Sequence, residues 1–249
     1  MNLSNFMNIF DKTNYLPYSN FLLPVGISFY TFQTLSYTID IYNNKIKAEK
    51  NFIIFALYVS FFPQLVAGPI ERSAHLIPQL KKSFLYSKVK FHDSFSLILF
   101  GFFKKVVIAD NLSIFVNSIY NKPYEADSIS LIIATILFSF QIFSDFSGYS
   151  DIAIGVAKLF GIDLMQNFDI PYSAESFQEF WKKWHISLSR WFRDYVYIPL
   201  GGSKKGLKKH IINLIITIIV SGIWHGANWT FFVWGLLHGI YLITELFLQ

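Results

Sequence analysis

The stretch IINLIITIIVSGIWHGANWTFFVWGLLHGIYLITELFLQ, residues 211–249, decides the fold. It divides at Asn228 into two apolar runs, Ile211–Ala227 and Trp229–Leu248, each within the roughly 17–25 residues that a membrane-crossing helix needs. With so short a connection the two form a tight transmembrane hairpin. No charged residue lies between Ile211 and His225. At about 1.5 Å per residue, His225 sits about 20 Å along its helix from the basic residues 204–209, well inside the bilayer. An ionisable side chain at that depth is costly, and it reads either as a functional group or as a histidine that only packs. Gly222 and Gly226 flank it and leave room for a neighbouring helix or a ligand. His238 repeats the G-x-x-H-G pattern thirteen residues on and competes for the same role.

Working back toward the N-terminus, residues 176–197 carry the next pattern. Ser176 and Glu179 form an S-x-x-E capping box that starts a helix. Phe177, Trp181, Trp184, Leu188, Trp191 and Tyr195 then recur at helical spacing as one apolar stripe, with Lys182, Lys183, Arg190 and Arg193 off it. A basic amphipathic helix with three tryptophans is expected to lie in the membrane interface rather than cross it. His185 falls at the edge of that stripe, one turn from Trp181. Pro199, Gly201 and Gly202 end the helix.

Further back, Phe21–Tyr42 is a candidate span softened by Ser28, Gln33 and Ser36, and Phe52–Ile70 is a second apolar run broken by Pro63 and by Gly68-Pro69. Basic loops flank that second run on both sides. If both face the cytoplasm, as the positive-inside rule expects, the segment enters the membrane and returns, with its non-helical backbone against protein or a wet cavity. The run from Phe91 to Tyr120 carries Lys104-Lys105 in its middle, so either the helix is interrupted there or the lysines face a wet interior. Residues 121–128 hold one Lys against Glu125 and Asp127 and form the expected external loop. The apolar runs Ile129–Phe143 and Ile152–Ile162 are separated by a polar patch, residues 144–151. There Asp145 and Asp151 read as helix-capping and loop residues or, alternatively, as an interior polar site. Ala153, Ala157 and Gly161 form a small-residue face for helix contact.

Composition agrees. Hydrophobic residues make up 53% and charged residues 15% of the 249, against about 25% charged in soluble domains. The 28 Phe, 14 Tyr and 6 Trp suit lipid and interfacial surface. The chain has no cysteine, which excludes disulfides, thiolate metal sites and a cysteine nucleophile. The +5 charge sits in short loops between spans, which argues against nucleic acid as a partner. There is no Walker A, G-x-G-x-x-G or H-E-x-x-H sequence, and Gly148-Tyr149-Ser150-Asp151-Ile152 misses the G-x-S-x-G elbow at its last glycine. No metal site and no tightly bound cofactor are expected. His75, His92 and His210 lie beside loop charges and read as solvated. The fold class is therefore all-α, polytopic and transmembrane, with re-entrant and interfacial elements, and residues 1–249 form a single membrane domain.

Four segments carry a resemblance. Residues 180–191, FWKKWHISLSRW, with Pro199-Leu200-Gly201-Gly202, resemble the hallmark of the membrane-bound O-acyltransferase superfamily, in its alginate O-acetylation branch. Gly222-Ile223-Trp224-His225-Gly226-Ala227 is similar to that family's second motif. Residues 61–70, FFPQLVAGPI, and Gly26-Ile27-Ser28-Phe29-Tyr30 also resemble it. The resemblance implies that His225 is the catalytic histidine and His185 its partner. It also implies a ring of tilted helices around a thin centre, and acetyl-CoA as acyl donor on the cytoplasmic side of a bacterial inner membrane. The implied acceptor is an extracytoplasmic polysaccharide, alginate-type or peptidoglycan, reached through a partner acetyltransferase. D-alanyl transfer to teichoic acid is the alternative within the family, and a transporter or a non-catalytic scaffold the alternative outside it. Family members are about twice as long, so the chain is expected to be an internal piece that lacks the flanking helices.

Overall fold

The computed structural model describes residues 26–82, 88–226 and 228–248, and among them every regular element is a helix. The chain divides into two compact units. One comprises Gly26–Asp169 and His185–Ser187; the other, among the described residues, comprises 170–184 and 188–248.

In the first unit, α1 (Ile27–Tyr42) realises the described part of the first candidate span; residues 21–25 lie outside the described residues. α2 (Phe52–Val59) starts where the Asn51 side chain accepts from the amides of Ile53 and Ile54. It ends at Ser60, and residues 60–72, with both prolines, run as turns and extended backbone before α3 (Ser73–Leu80). The expected break in the second apolar run is therefore present. Its freed backbone groups are answered by side chains, as broken helices in apolar surroundings require. Gln33 Nε2 donates to the carbonyl of Tyr58 at 2.6 Å, and Gln64 Nε2 donates to Gln33 Oε1 at 3.0 Å. Gln33, a polar blemish in the sequence of a span, is the cap of its neighbour's end.

α4 (Lys88–Phe102), a π-helical stretch (Phe103–Ala109) and α5 (Asp110–Tyr120) form one rod, and the wide turn falls on the two lysines. They face α6 (Ser128–Leu159), 32 residues without a break. The polar patch at 144–151 thus does not separate two runs: it is mid-helix. Lys104 pairs with Asp151, while Lys105 pairs with Asp145 at 2.6 Å and Asp110 at 2.9 Å, so the capping reading falls; of the interior-site reading only the Lys104–Asp151 pair is largely buried, while Asp145 and Asp110 are half exposed. Gly101 and Gly148 let α4 and α6 meet backbone to backbone: a Cβ on Gly148 would lie 2.7 Å from the Gly101 carbonyl oxygen. Of the predicted small-residue face, Ala153 and Ala157 are buried, but Gly161 instead turns the chain out of the helix at φ 68°. Tyr58, Leu76 and Ala157 centre this unit's hydrophobic core.

In the second unit, Ser176 caps α7 (Phe177–Lys183) by accepting from the Glu179 amide at 3.1 Å, while Glu179 accepts from the Glu175 amide rather than closing on Ser176. The single helix expected through Tyr197 is not formed. The backbone turns extended at Trp184 and left-handed at His185 before α8 (Ile186–Phe192) and a π turn (Arg193–Tyr197). The hairpin is as expected: α9 (Leu207–His225) and α10 (Trp229–Leu248). Gly222 lies where a Cβ would strike the Phe231 carbonyl oxygen, and Asn213 Nδ2 ties α9 to the Gly202 carbonyl at 2.9 Å. Among the described residues three helices, α6, α9 and α10, are long and apolar enough to cross a membrane.

Candidate active site

His185 is buried, at 4% exposure, with φ +42°. Its ring meets Phe146 of α6 edge-on at 4.6 Å between centroids, with Phe29 of α1 at 6.4 Å and Phe168 at 6.5 Å. It does not sit on the tryptophan stripe as expected, because the backbone reverses just before it. The residues that follow are anchored from outside their helix. The Ile186 amide donates to the Asn167 carbonyl at 2.8 Å, and the Ser187 amide and hydroxyl donate to Asn167 Oδ1 at 3.3 and 2.6 Å. Asn167 Nδ2 donates to Ser150 Oγ of α6 at 3.2 Å, and the Ile70 amide donates to Ser187 Oγ at 2.9 Å. A polar junction thus ties the broken segment 60–72, the middle of α6, the loop around 167 and the start of α8.

Glu71 reinforces it. Its side chain is fully buried, accepts from the Met165 amide and pairs with His75 Nδ1 at 2.7 Å. Burial pushes its carboxyl above the ordinary carboxylate range, against the opposing pull of the Met165 amide, His75 and Arg72. Eight residues after Glu71, Gln79 clamps the same loop by donating to the Asp163 carbonyl at 3.0 Å and accepting from its amide at 2.8 Å. His75 is therefore half of an ion-pair geometry rather than merely solvated; His92 is exposed, and His210 packs its ring 6.0 Å from that of Tyr197.

In the second unit, His225 is the last residue of α9 and is exposed on that unit. Its ring lies 5.2 Å edge-on from Trp234 and 6.1 Å from Phe231. Gly226 allows this approach: a Cβ there would come within 2.6 Å of the Phe231 ring. His238 shares the same wall, 4.6 Å from Trp234 and 5.2 Å from Trp181. The repeated motif thus brings His225 and His238 onto one tryptophan, while His185 belongs to the other unit. Among the described residues no group of three or more His, Asp or Glu side chains could hold a metal ion.

Asn167 and Glu71 escaped the sequence analysis. Asn167 is a lone asparagine in a loop and carries no signal. Glu71 had one: an acid two residues after the Gly68-Pro69 break, with a histidine four residues on.

Helices broken inside apolar sequence, with polar side chains gathered at the breaks, mark a polytopic all-α membrane protein. The chain belongs to the membrane-bound O-acyltransferase family, MBOAT, whose profile matches residues 43–249. It is 42% identical over 227 residues to a protein of Azotobacter vinelandii named "Probable alginate O-acetylase", covering 91% of this chain and 45% of that one. It is 40% identical over 250 residues to the peptidoglycan O-acetyltransferase of Helicobacter pylori, covering 89% and 47%. To the teichoic acid D-alanyltransferase of Bacillus subtilis it is 27% identical over 244 residues, covering 94% and 61%. The chain spans a little under half the length of the two O-acetyl-transferring relatives.

Proposed function

We propose that the complete protein is an O-acetyltransferase of a bacterial inner membrane, moving acetyl groups from acetyl-CoA toward hydroxyls of an extracytoplasmic polysaccharide. The observation that carries this is the 40–42% identity to O-acetyl-transferring relatives, against 27% to a D-alanyltransferase. His225 acts as general base. A ring nitrogen takes the proton from the acceptor hydroxyl as its oxygen bonds to the acetyl carbonyl carbon; the carbon–sulfur bond then breaks and the thiolate leaves with the proton. His185 orients the acceptor or steadies the oxyanion. The basic loops at 45–50 and 204–209 draw the donor's phosphates to the cytoplasmic face. Residues 1–249 act within one membrane domain, the protein needs no tightly bound cofactor, and an extracytoplasmic acetyltransferase passes the acetyl group on to an alginate-type polymer or peptidoglycan. The transporter alternative needs mobile charges in the membrane, whereas Lys104 and Lys105 are held by three aspartates.

The test supplies membranes carrying the complete protein with labelled acetyl-CoA or with a labelled D-alanyl carrier-protein thioester. Alkali-labile label on exported polymer is expected from acetyl-CoA. Label from the D-alanyl thioester alone would replace the proposal with the D-alanyl alternative, and label from neither would leave the scaffold.

A further inference from the structure

We infer that Asn167 is the positioning residue of His185: it fixes the backbone on which the imidazole is presented. This rests on the assignment of His185 to the active site. A helix leaves its first amides without acceptors, and an Asn, Asp, Ser or Thr side chain just before the helix usually supplies one. Before α8 that place is held by His185. Asn167 supplies the acceptors instead, from a different loop: its carbonyl takes the Ile186 amide at 2.8 Å and its Oδ1 takes the Ser187 amide at 3.3 Å. The acceptors for the first amides of α8 thus come from another loop.

The second observation is the left-handed backbone at His185, φ +42°. A β-carbon disfavours that region, and such conformations persist where the surroundings over-determine them, often at functional sites. Here the surroundings are the junction itself. Asn167, Ser187, Ser150 and Ile70 are all at 3% exposure or less, and each is bonded to another of the four. Backbone angles select the side-chain rotamers that remain open, so the anchor on residues 186–187 also limits where the ring of His185 can point. α6 contributes twice, with Phe146 against the ring and Ser150, one turn later, against Asn167.

A cap that only stabilises the fold would lower the amount of protein and leave each molecule's rate alone. A positioning residue acts on the rate through His185. The experiment measures initial rates of acetyl transfer from acetyl-CoA to exported polymer in membranes carrying the complete protein, normalised to protein level. Asn167→Ala is expected to lower kcat about 10²-fold, the scale of a reacting group misplaced by an ångström, with KM for acetyl-CoA unchanged. Asn167→Asp keeps the Oδ1 acceptor and should recover most of the rate. In a His185→Ala background the same Asn167→Ala change should cost no more than about twofold, because residues acting as one unit are not additive. If Asn167→Ala fails to accumulate, Ser187→Ala removes only one hydroxyl of the junction and should lower kcat about tenfold on the same argument. A parent-like kcat in accumulated Asn167→Ala protein, or a full second loss in the double variant, overturns the assignment of Asn167 alone. A parent-like rate in His185→Ala overturns the site on which it rests.

Discussion

His225 and His185 occupy opposite kinds of surroundings. His225 ends an apolar helix, is exposed on its unit and meets the rings of Trp224, Phe231 and Trp234. His185 is buried, its backbone is left-handed, and the residues after it are pinned by a polar junction drawn from four parts of the chain. The difference separates two ways of placing an imidazole among apolar helices. One leaves the group at the end of a rigid apolar hairpin, with glycines and aromatic rings setting its height. The other builds a small polar interior around a break in the helices and hangs the group from it.

The sharpest way to break that contrast is to remove each ring in the complete protein. His225→Ala should lower polymer acetylation by 10²–10⁴-fold, the usual worth of a general base, with protein level unchanged, because an exposed ring leaves no cavity in its unit. Near-parent acetylation by well-accumulated His225→Ala protein would refute its role as base. His185→Ala should also slow transfer, and unlike His225→Ala it should reduce accumulation, since it empties a buried place against Phe146. His185→Asn should be milder on both counts. Acetate per polymer and protein by blot, taken together, separate the two sites; equal accumulation of both alanine variants would remove the contrast.

The hairpin was legible in the sequence because hydropathy and glycine spacing are local: residues 211–249 state their own length, break and close contact. The halt at Pro63 and Gly68-Pro69 was legible for the same reason. The junction was not, since Ile70, Ser150, Asn167 and Ser187 share no periodicity and are joined only by tertiary hydrogen bonds. The polar patch at 144–151 misled in a related way. Counted by hydropathy it divides a span, but its charges are cancelled by Lys104 and Lys105 from another helix, so the helix continues. Likewise the stripe at 177–195 is helically spaced, yet the first amides of α8 find their acceptors on Asn167 and the helix breaks at His185.

A smaller effect sharpens the comparison within the first unit. Lys104 and Asp151 are 12% and 22% exposed, Lys105 and Asp145 42% and 50%. Removing one partner of a buried pair strands the other charge and costs about 3–5 kcal/mol, whereas exposed pairs contribute about 0–1 kcal/mol. Asp151→Asn should therefore lower the melting temperature of the solubilised complete protein clearly more than Asp145→Asn. Adding Lys104→Met to Asp151→Asn should restore much of the loss. Equal shifts for the two asparagine variants would show that the π turn does not bury one pair more than the other.

The smallest expected effect lies at Glu71, where the polar junction has a titratable group with a raised pKa. A carboxyl whose folded pKa lies above its unfolded value of about 4.3 favours the folded state most when both forms are protonated. That contribution is present below about pH 4.3 and is lost as pH rises through the raised folded value, after which it stays constant. Burial drives the shift; the Met165 amide, His75 and Arg72 work against it and keep the loss small. Glu71→Gln preserves the geometry, because the amide oxygen can accept from Met165 and the amide nitrogen can donate to the His75 ring, and it removes the charge. The difference in melting temperature, variant minus parent, should therefore grow from near zero at acid pH to a small positive plateau above the raised pKa. A difference that is flat across that range, or that falls as pH rises, would mean that the junction holds Glu71 as a well-solvated or fully compensated carboxylate.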